Sequence, residues 1–362
     1  MDPIQLRTRN SRQVNGKSDA AALRLARKVP EILSDPCYQI ENEPQRLSQK
    51  ILSFHEFYLS KGVLRRVIKI NEAMIKAELG DEQYNGDPTT AELCKRVAKL
   101  LGKEVAVFLP SGTMCNQTAI NVHCRPGDEI VCDRTSRIVG YETGGPAANS
   151  GVMIHAIDGE RGIFTAKQLK SAIRAPSQYF PESRLLCVEQ TAGLGGGAIW
   201  PLSTLQDVAA IAKEAGMATH MDGARLFNAV AATGISAAAY AESFDSVWID
   251  LSKGLGCPIG AVLCGSADFI RKAWRLKQRF GGVMRQSGIV AAAGIYALDH
   301  NIKCLSEDHA NARLLAKLLS AIPGVSIKLD EVETNLVYFE VNDREGRSAA
   351  ADFVAKTAFY GY

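Results

Sequence analysis

From residue 89 onward, short apolar runs alternate with segments of helical period. "TAELCKRVAKLLG" spaces its apolar residues by three and four, as one buried helix face requires, and "EVAVFLP" after it reads as a short buried strand. Six more such runs follow: "DEIVCD", "GVMIHAI", "SRLLCVEQ", "MATHMD", "DSVWIDL" and "IGAVLCG". Helix-period stretches such as "LSTLQDVAAIAKEAG" and "SADFIRKAWRLKQRF" lie between most of them. Buried strands separated by helices predict an α/β fold, a mostly parallel seven-stranded sheet with helices on both faces, over residues 61–300. After "HNIKCLSEDHANARLLAKLLSAI", the runs "VSIKL" and "NLVYFEV" and a closing helix predict a small C-terminal α/β domain over 301–362. Residues 1–60 break the pattern: they are basic, polar and poor in aromatics, as a partly disordered extension is. Their arginine-rich opening also fits an organellar transit peptide, and "EILSDPCYQIENEPQRLSQKILSFHEFYL" fits one or two short helices.

Composition narrows the function classes. With 362 residues and 46% hydrophobic content, the chain can bury a large core. A net charge of +3 gives no electrostatic reason to expect nucleic acid or an anionic membrane as partner. No apolar run approaches the length of a membrane span, and there is no signal-peptide core. The nine cysteines are scattered without a CxxC pair, which predicts reduced core thiols in a cytoplasmic protein and no metal site.

Open parallel sheets bind ligands beyond the carboxyl ends of their strands. Three of these ends carry chemistry. After "AVFLP" comes "SGTMCNQTAI", a helix start whose free N–H groups suit a phosphate, or in the plainer reading an ordinary serine N-cap. After "MATHM" comes Asp222, which needs either Arg225 or a protonated heterocycle as cationic partner. After "SVWIDL" comes Ser252-Lys253, a lysine where desolvation is costly. A phosphate cradle, a buried carboxylate and a strand-end amine together match pyridoxal 5′-phosphate (PLP). The helix start docks its phosphate, the aspartate keeps its pyridine nitrogen protonated, and the lysine amine condenses with its aldehyde. A desolvated lysine would also lose its proton more readily.

The motifs "GDEQYNGDPTTAEL", "FLPSGTMCNQTAI", "YETGGPAA", "VEQT…GGG", "HMDGARLFNA", "DLSKGLGCPIGAVL" and "GGVMRQSGI" follow one another over roughly four-fifths of the chain. In them the chain resembles the low-specificity L-threonine aldolases, in the β-eliminating-lyase branch of the fold-type-I PLP enzymes. The resemblance implies cleavage of β-hydroxy-α-amino acids to glycine and an aldehyde, by a homodimer or homotetramer with shared active sites. It implies that Lys253 carries the cofactor and Asp222 partners its ring nitrogen. It assigns Ser111, Gly112 and Thr113 to the phosphate turn, Arg225 to the cofactor and substrate carboxylate, and Arg285 to the phosphate, from the neighbouring subunit. Ser60, Tyr84 and Glu142 line the site by the same resemblance, and His220 reads as a packed strand residue.

Four departures qualify it. Arg137, in "SRIVGYETGG", stands where the family commonly stacks a histidine on the ring, which makes Arg137 a candidate catalytic residue of altered chemistry. Gly193 replaces an asparagine. Lys61, after Ser60, replaces an aspartate. The chain stops at "TAFYGY", where relatives continue into strands with a carboxylate-binding arginine, as expected of a truncated or frameshifted gene. The alternatives are therefore another PLP-dependent reaction (β-elimination, racemisation or transamination) or a catalytically poor homologue.

Overall fold

The structure, a computed structural model, describes residues 61–342, with side chains from Ile68 onward. Two helices precede the sheet, α1 (Lys61–Ile75) and α2 (Pro88–Leu101). The local sequence explains the ends of α2. Asp87 accepts the N–H of Thr90, Pro88 occupies the first turn, and Gly102 closes the helix in the left-handed conformation (φ 62°). Leu93, Val97 and Leu101, spaced by four, form its buried face.

All seven expected runs form strands: β1 (Val105–Leu109), β2 (Glu129–Asp133), β3 (Met153–Ile157), β4 (Ser183–Glu189), β5 (Ala218–Gly223), β6 (Ser246–Asp250) and β7 (Ala261–Gly265). Their order is β1-β7-β6-β5-β4-β2-β3, with β7 antiparallel to both neighbours and every other pair parallel. The reversal has a simple cause. Only residues 251–260 join β6 to β7, and a parallel crossover needs a dozen or more. That connection carries Lys253.

Between the strands run α3 (Gly112–His123), α4 (Arg137–Gly140), α5 (Leu202–Glu214), α6 (Leu226–Thr233), α7 (Ala267–Arg279) and α8 (Gly288–His300), with shorter helices among them. The central core joins Leu93, Phe108, Leu186, Trp200, Met221 and Ile249, all buried. The eight described cysteines are unpaired thiols. Burial pushes those of Cys94, Cys124, Cys132 and Cys257 up to about 12. No helix among the described residues is long and apolar enough to cross a membrane.

The chain divides into two compact units, Arg65–His309 and one that includes the described residues from Ala310 onward. In the second, Ala312, Ala316 and Leu319 of α9 (Leu305–Ser320) pack with Val332, Val337 and Phe339. The two expected strands are here reduced to β8 (Val325–Ser326) and β9 (Glu340–Val341), paired antiparallel. A 3₁₀ turn at Leu329–Glu331 ends the extended run that "VSIKL" suggested. Residues 1–60 and the closing helix expected after 342 lie outside the described residues.

Candidate active site

Two periodicities build the site. Side chains two apart share one face of a strand, so His220 and Asp222 project together from β5, and Ser246, Trp248 and Asp250 from β6. Gly112, Asn116 and His123 fall close to one side of α3, at spacings of four and seven. That side lies on that face. A Cβ on Gly112 would stand 2.2 Å from Trp248 Cη2, so only a hydrogen fits where α3 begins. Asn116 accepts the Trp248 indole N–H at 2.7 Å and gives its own amide N–H groups to Asp222 Oδ2 and Glu142 Oε1, each at 2.9 Å.

Three carboxylates converge on this point. Asp222 is 6% exposed, and its Oδ1 accepts the Ala224 N–H at 3.0 Å. Burial raises its pKa, against the opposing pull of Lys253 and Asn116. Glu142 also accepts the Gln117 amide at 2.7 Å; burial pushes it up to about 7, against Asn116 and Gln117. Glu189 lies beside Asp222 in the β4–β5 register. Burial and then Asp222 push Glu189 up to about 7, with Arg225 and Lys253 acting the other way. Three carboxyls raised despite nearby cations mark a pocket short of positive charge.

Lys253 is less desolvated than its strand-end position suggested. Its side chain is 21% exposed, and Nζ lies 3.5 Å from Asp250 Oδ2 and 5.9 Å from the Trp248 ring centroid. The turn at 251–260 opens to solvent, and Asp250 lies beside the Lys253 amine, so the desolvation expected at this strand end is only partial. Arg225 is 6% exposed, and its N–H bonds to the Gln190 carbonyl at 3.1 Å. The start of α3 carries the expected turn. Ser111 Oγ accepts the Met114 N–H at 3.2 Å, while Gly112 and Thr113 occupy the first turn, whose N–H groups have no acceptor within the helix.

Arg137 begins α4 with Nε 3.9 Å from Glu142 Oε1, so it pairs with the carboxylate rather than standing apart from the network. Arg285 pairs instead with Asp81 at 2.8 Å, in an exposed cluster that includes Tyr84. Ser60 lies outside the described residues.

Over residues 66–342 the chain matches the family described as beta-eliminating lyase. The chain belongs to this family. It is 39% identical to low-specificity L-threonine aldolase 1 of Arabidopsis thaliana, covering 78% of this chain and 80% of that protein. To the low specificity L-threonine aldolase of Escherichia coli K12 it is 37% identical, over 78% and 83%. A crystal structure of a putative L-allo-threonine aldolase from Listeria monocytogenes shares the fold (TM-score 0.66, 23% identity, covering 88% of this chain and 82% of that one).

For a member of the beta-eliminating lyases, the pocket's charge deficit has a direct reading. The donor set fits PLP: N–H groups at the start of α3 for a phosphate, a buried carboxylate for a ring N–H⁺, and an amine for an aldehyde. A protonated heterocycle would supply the missing charge beside Asp222. Thr191 Oγ1, just past β4, is buried without a hydrogen-bond partner in the structure.

Sequence reasoning did not single out Asn116, Gln117, Glu189 or Asp250, although all lie in or beside the quoted motifs. A usable signal was there: polar residues on the buried face of an otherwise apolar strand, as in "SVWID". His220, read as packing, is buried but bonds at both ring nitrogens. Gly193 sits tightly against its neighbours, because a Cβ there would come 2.9 Å from Glu189 Oε1 and 3.5 Å from Arg225 Nη1.

Proposed function

We propose that this beta-eliminating lyase is a PLP-dependent aldolase that cleaves L-threonine or L-allo-threonine type β-hydroxy-α-amino acids to glycine and an aldehyde. The observation that carries the reading is the convergence of Asp222, Lys253 and the start of α3 on Trp248 and Asn116. The names of relatives at 37–39% identity support the substrate class. When bound, PLP supplies an electron sink conjugated to the substrate Cα, which lowers the barrier to breaking Cα–Cβ.

The chain's residues do the rest. Lys253 would hold the cofactor at its aldehyde, with Asp250 beside the amine. Asp222, held by Asn116 and the Ala224 N–H, would keep a proton on the ring nitrogen. Ser111, Gly112 and Thr113 would fix the phosphate, Arg225 would hold an anionic group of cofactor or substrate, and Arg285 and Tyr84, which meet at Asp81, would serve the phosphate of the neighbouring subunit. Loss of the substrate hydroxyl proton must accompany cleavage, and a bound water is the simplest acceptor. We place the enzyme in the cytoplasm as a homodimer or homotetramer, with 61–300 as the cofactor domain and 301–362 as a smaller one.

Aldehyde release from threonine and allo-threonine, by the parent and by Lys253→Ala, tests this. Cleavage that needs added PLP, and loss of borohydride-fixable cofactor in the variant, are expected. A variant that still fixes cofactor at another lysine would displace Lys253 from the role.

A further inference from the structure

The donors and acceptors behind Asp222 follow from the groups that can act in one sense only. An indole N–H can only donate, so the Asn116 atom that meets it at 2.7 Å is the carbonyl oxygen. The amide nitrogen then faces Asp222 and Glu142, as two donors facing two carboxyls should. His220 Nε2 lies 3.2 Å from that same oxygen, which can only accept, so Nε2 carries a proton. Burial lowers the His220 pKa to about 3, so the ring is neutral and Nδ1 is bare. The bare Nδ1 lies 2.8 Å from Ser246 Oγ, which must therefore donate to it. Ser246 has one proton to give, so His123 Nε2, 2.8 Å from the same oxygen, must be a donor too. Burial holds His123 neutral as well, at about 4.

We propose that His123, Ser246, His220 and Asn116 form a one-way hydrogen-bond chain that positions the Asp222 carboxylate for its cationic ligand, with the Trp248 indole as its latch. Every donor in the chain points toward Asp222. Bonds aligned in one sense polarise one another, so the Asn116 N–H presented to Asp222 is a stronger donor than an isolated amide. With the proton on His220 Nδ1 instead, the lone pairs of Nε2 and Asn116 Oδ1 would face each other. The strands supply the geometry, because His220 stands opposite Ser246 in the β5–β6 register, two residues from Asp222. These are positioning residues, which act on the site through Asp222.

The role toward a bound cofactor rests on the proposed function, but the proton assignments do not. Nitrogen-15 NMR of histidine-labelled, cofactor-free protein should show His220 and His123 both protonated at Nε2 and bare at Nδ1. Ser246→Ala removes one oxygen from the middle of the chain. It should weaken PLP binding about tenfold, near the value of one hydrogen bond, and let His220 sample both tautomers. A parent protein with His220 protonated at Nδ1 overturns the proposal, and so does a Ser246→Ala protein that binds PLP within twofold of the parent. The parent's tautomers decide the matter if the variant fails to fold. A parent that binds no PLP would refute the proposed function and leave the NMR test of the chain standing.

Discussion

Arg137 Nε stands 3.9 Å from Glu142 Oε1, a half-buried cation facing a buried carboxylate. The guanidinium therefore touches the Asn116 network from its solvent side, at the position where the family commonly has a histidine. Arginine holds its proton throughout the working pH range, whereas imidazole exchanges one near neutrality. Arg137→His is expected to raise kcat for threonine isomers at least about tenfold, a floor set below the roughly 10²- to 10⁴-fold that full general acid–base assistance supplies. Steady-state kinetics on both proteins check it. A fall in kcat/KM carried by KM would instead make Arg137 a carboxylate ligand.

Glu142 sets a pH dependence whose sign follows from its environment. Its pKa is about 7 in the folded chain against an ordinary 4.5, so between those values the folded state holds more protons than the unfolded one. This contribution to stability is full below about 4.5 and is lost as pH rises through 7. His123 and His220, lowered to about 4 and about 3, act in the opposite sense below their ordinary 6.5 and mask part of it. Glu142→Gln should therefore lose less stability than the parent between pH 5 and pH 8, read as urea midpoints of the cofactor-free protein. Equal losses would mean that Glu142 does not titrate in this window.

Gly112→Ala tests the seat of α3 on Trp248. The added Cβ would overlap an indole carbon at 2.2 Å, so the helix start or the ring must move. Overpacking of this kind costs about 1–3 kcal/mol. The same movement should strain the Trp248–Asn116 bond and weaken PLP binding more than the melting temperature alone suggests. Unchanged affinity for PLP would show that the start of α3 does not serve the cofactor.

Gly193→Asn restores the residue type common in the family, at a crowded position beside Glu189 and Arg225. Its amide can donate to Glu189 Oε1, which a Cβ at 193 would approach to 2.9 Å, once that flexible carboxylate gives way. Donation to the charged form favours it, so the Glu189 pKa should fall from about 7. Carbon-13 NMR of labelled glutamate side chains would show the shift, and a Glu189 titration left in place would mean that the asparagine points elsewhere.

The amino-acid sequence carries the seven strands, the α/β class and the three strand ends of Ser111, Asp222 and Lys253 in legible form. Those features are local: apolar runs of strand length, helical spacing, and the residue that follows each run. It also placed Lys253 in a short connection, though not the reversal of β7 that the short connection forces. Which polar side chains meet depends on how distant elements pack. Asn116 reaches Asp222, 106 residues away, because one side of α3 lies across the faces of β5 and β6. Glu142 and Arg137 join the same network from another segment. Periodicity tells which residues share a face of one element, but the face they meet depends on strand order and packing. The protonation of His220 follows only from that meeting, because a donor is known as one when its acceptor is in place.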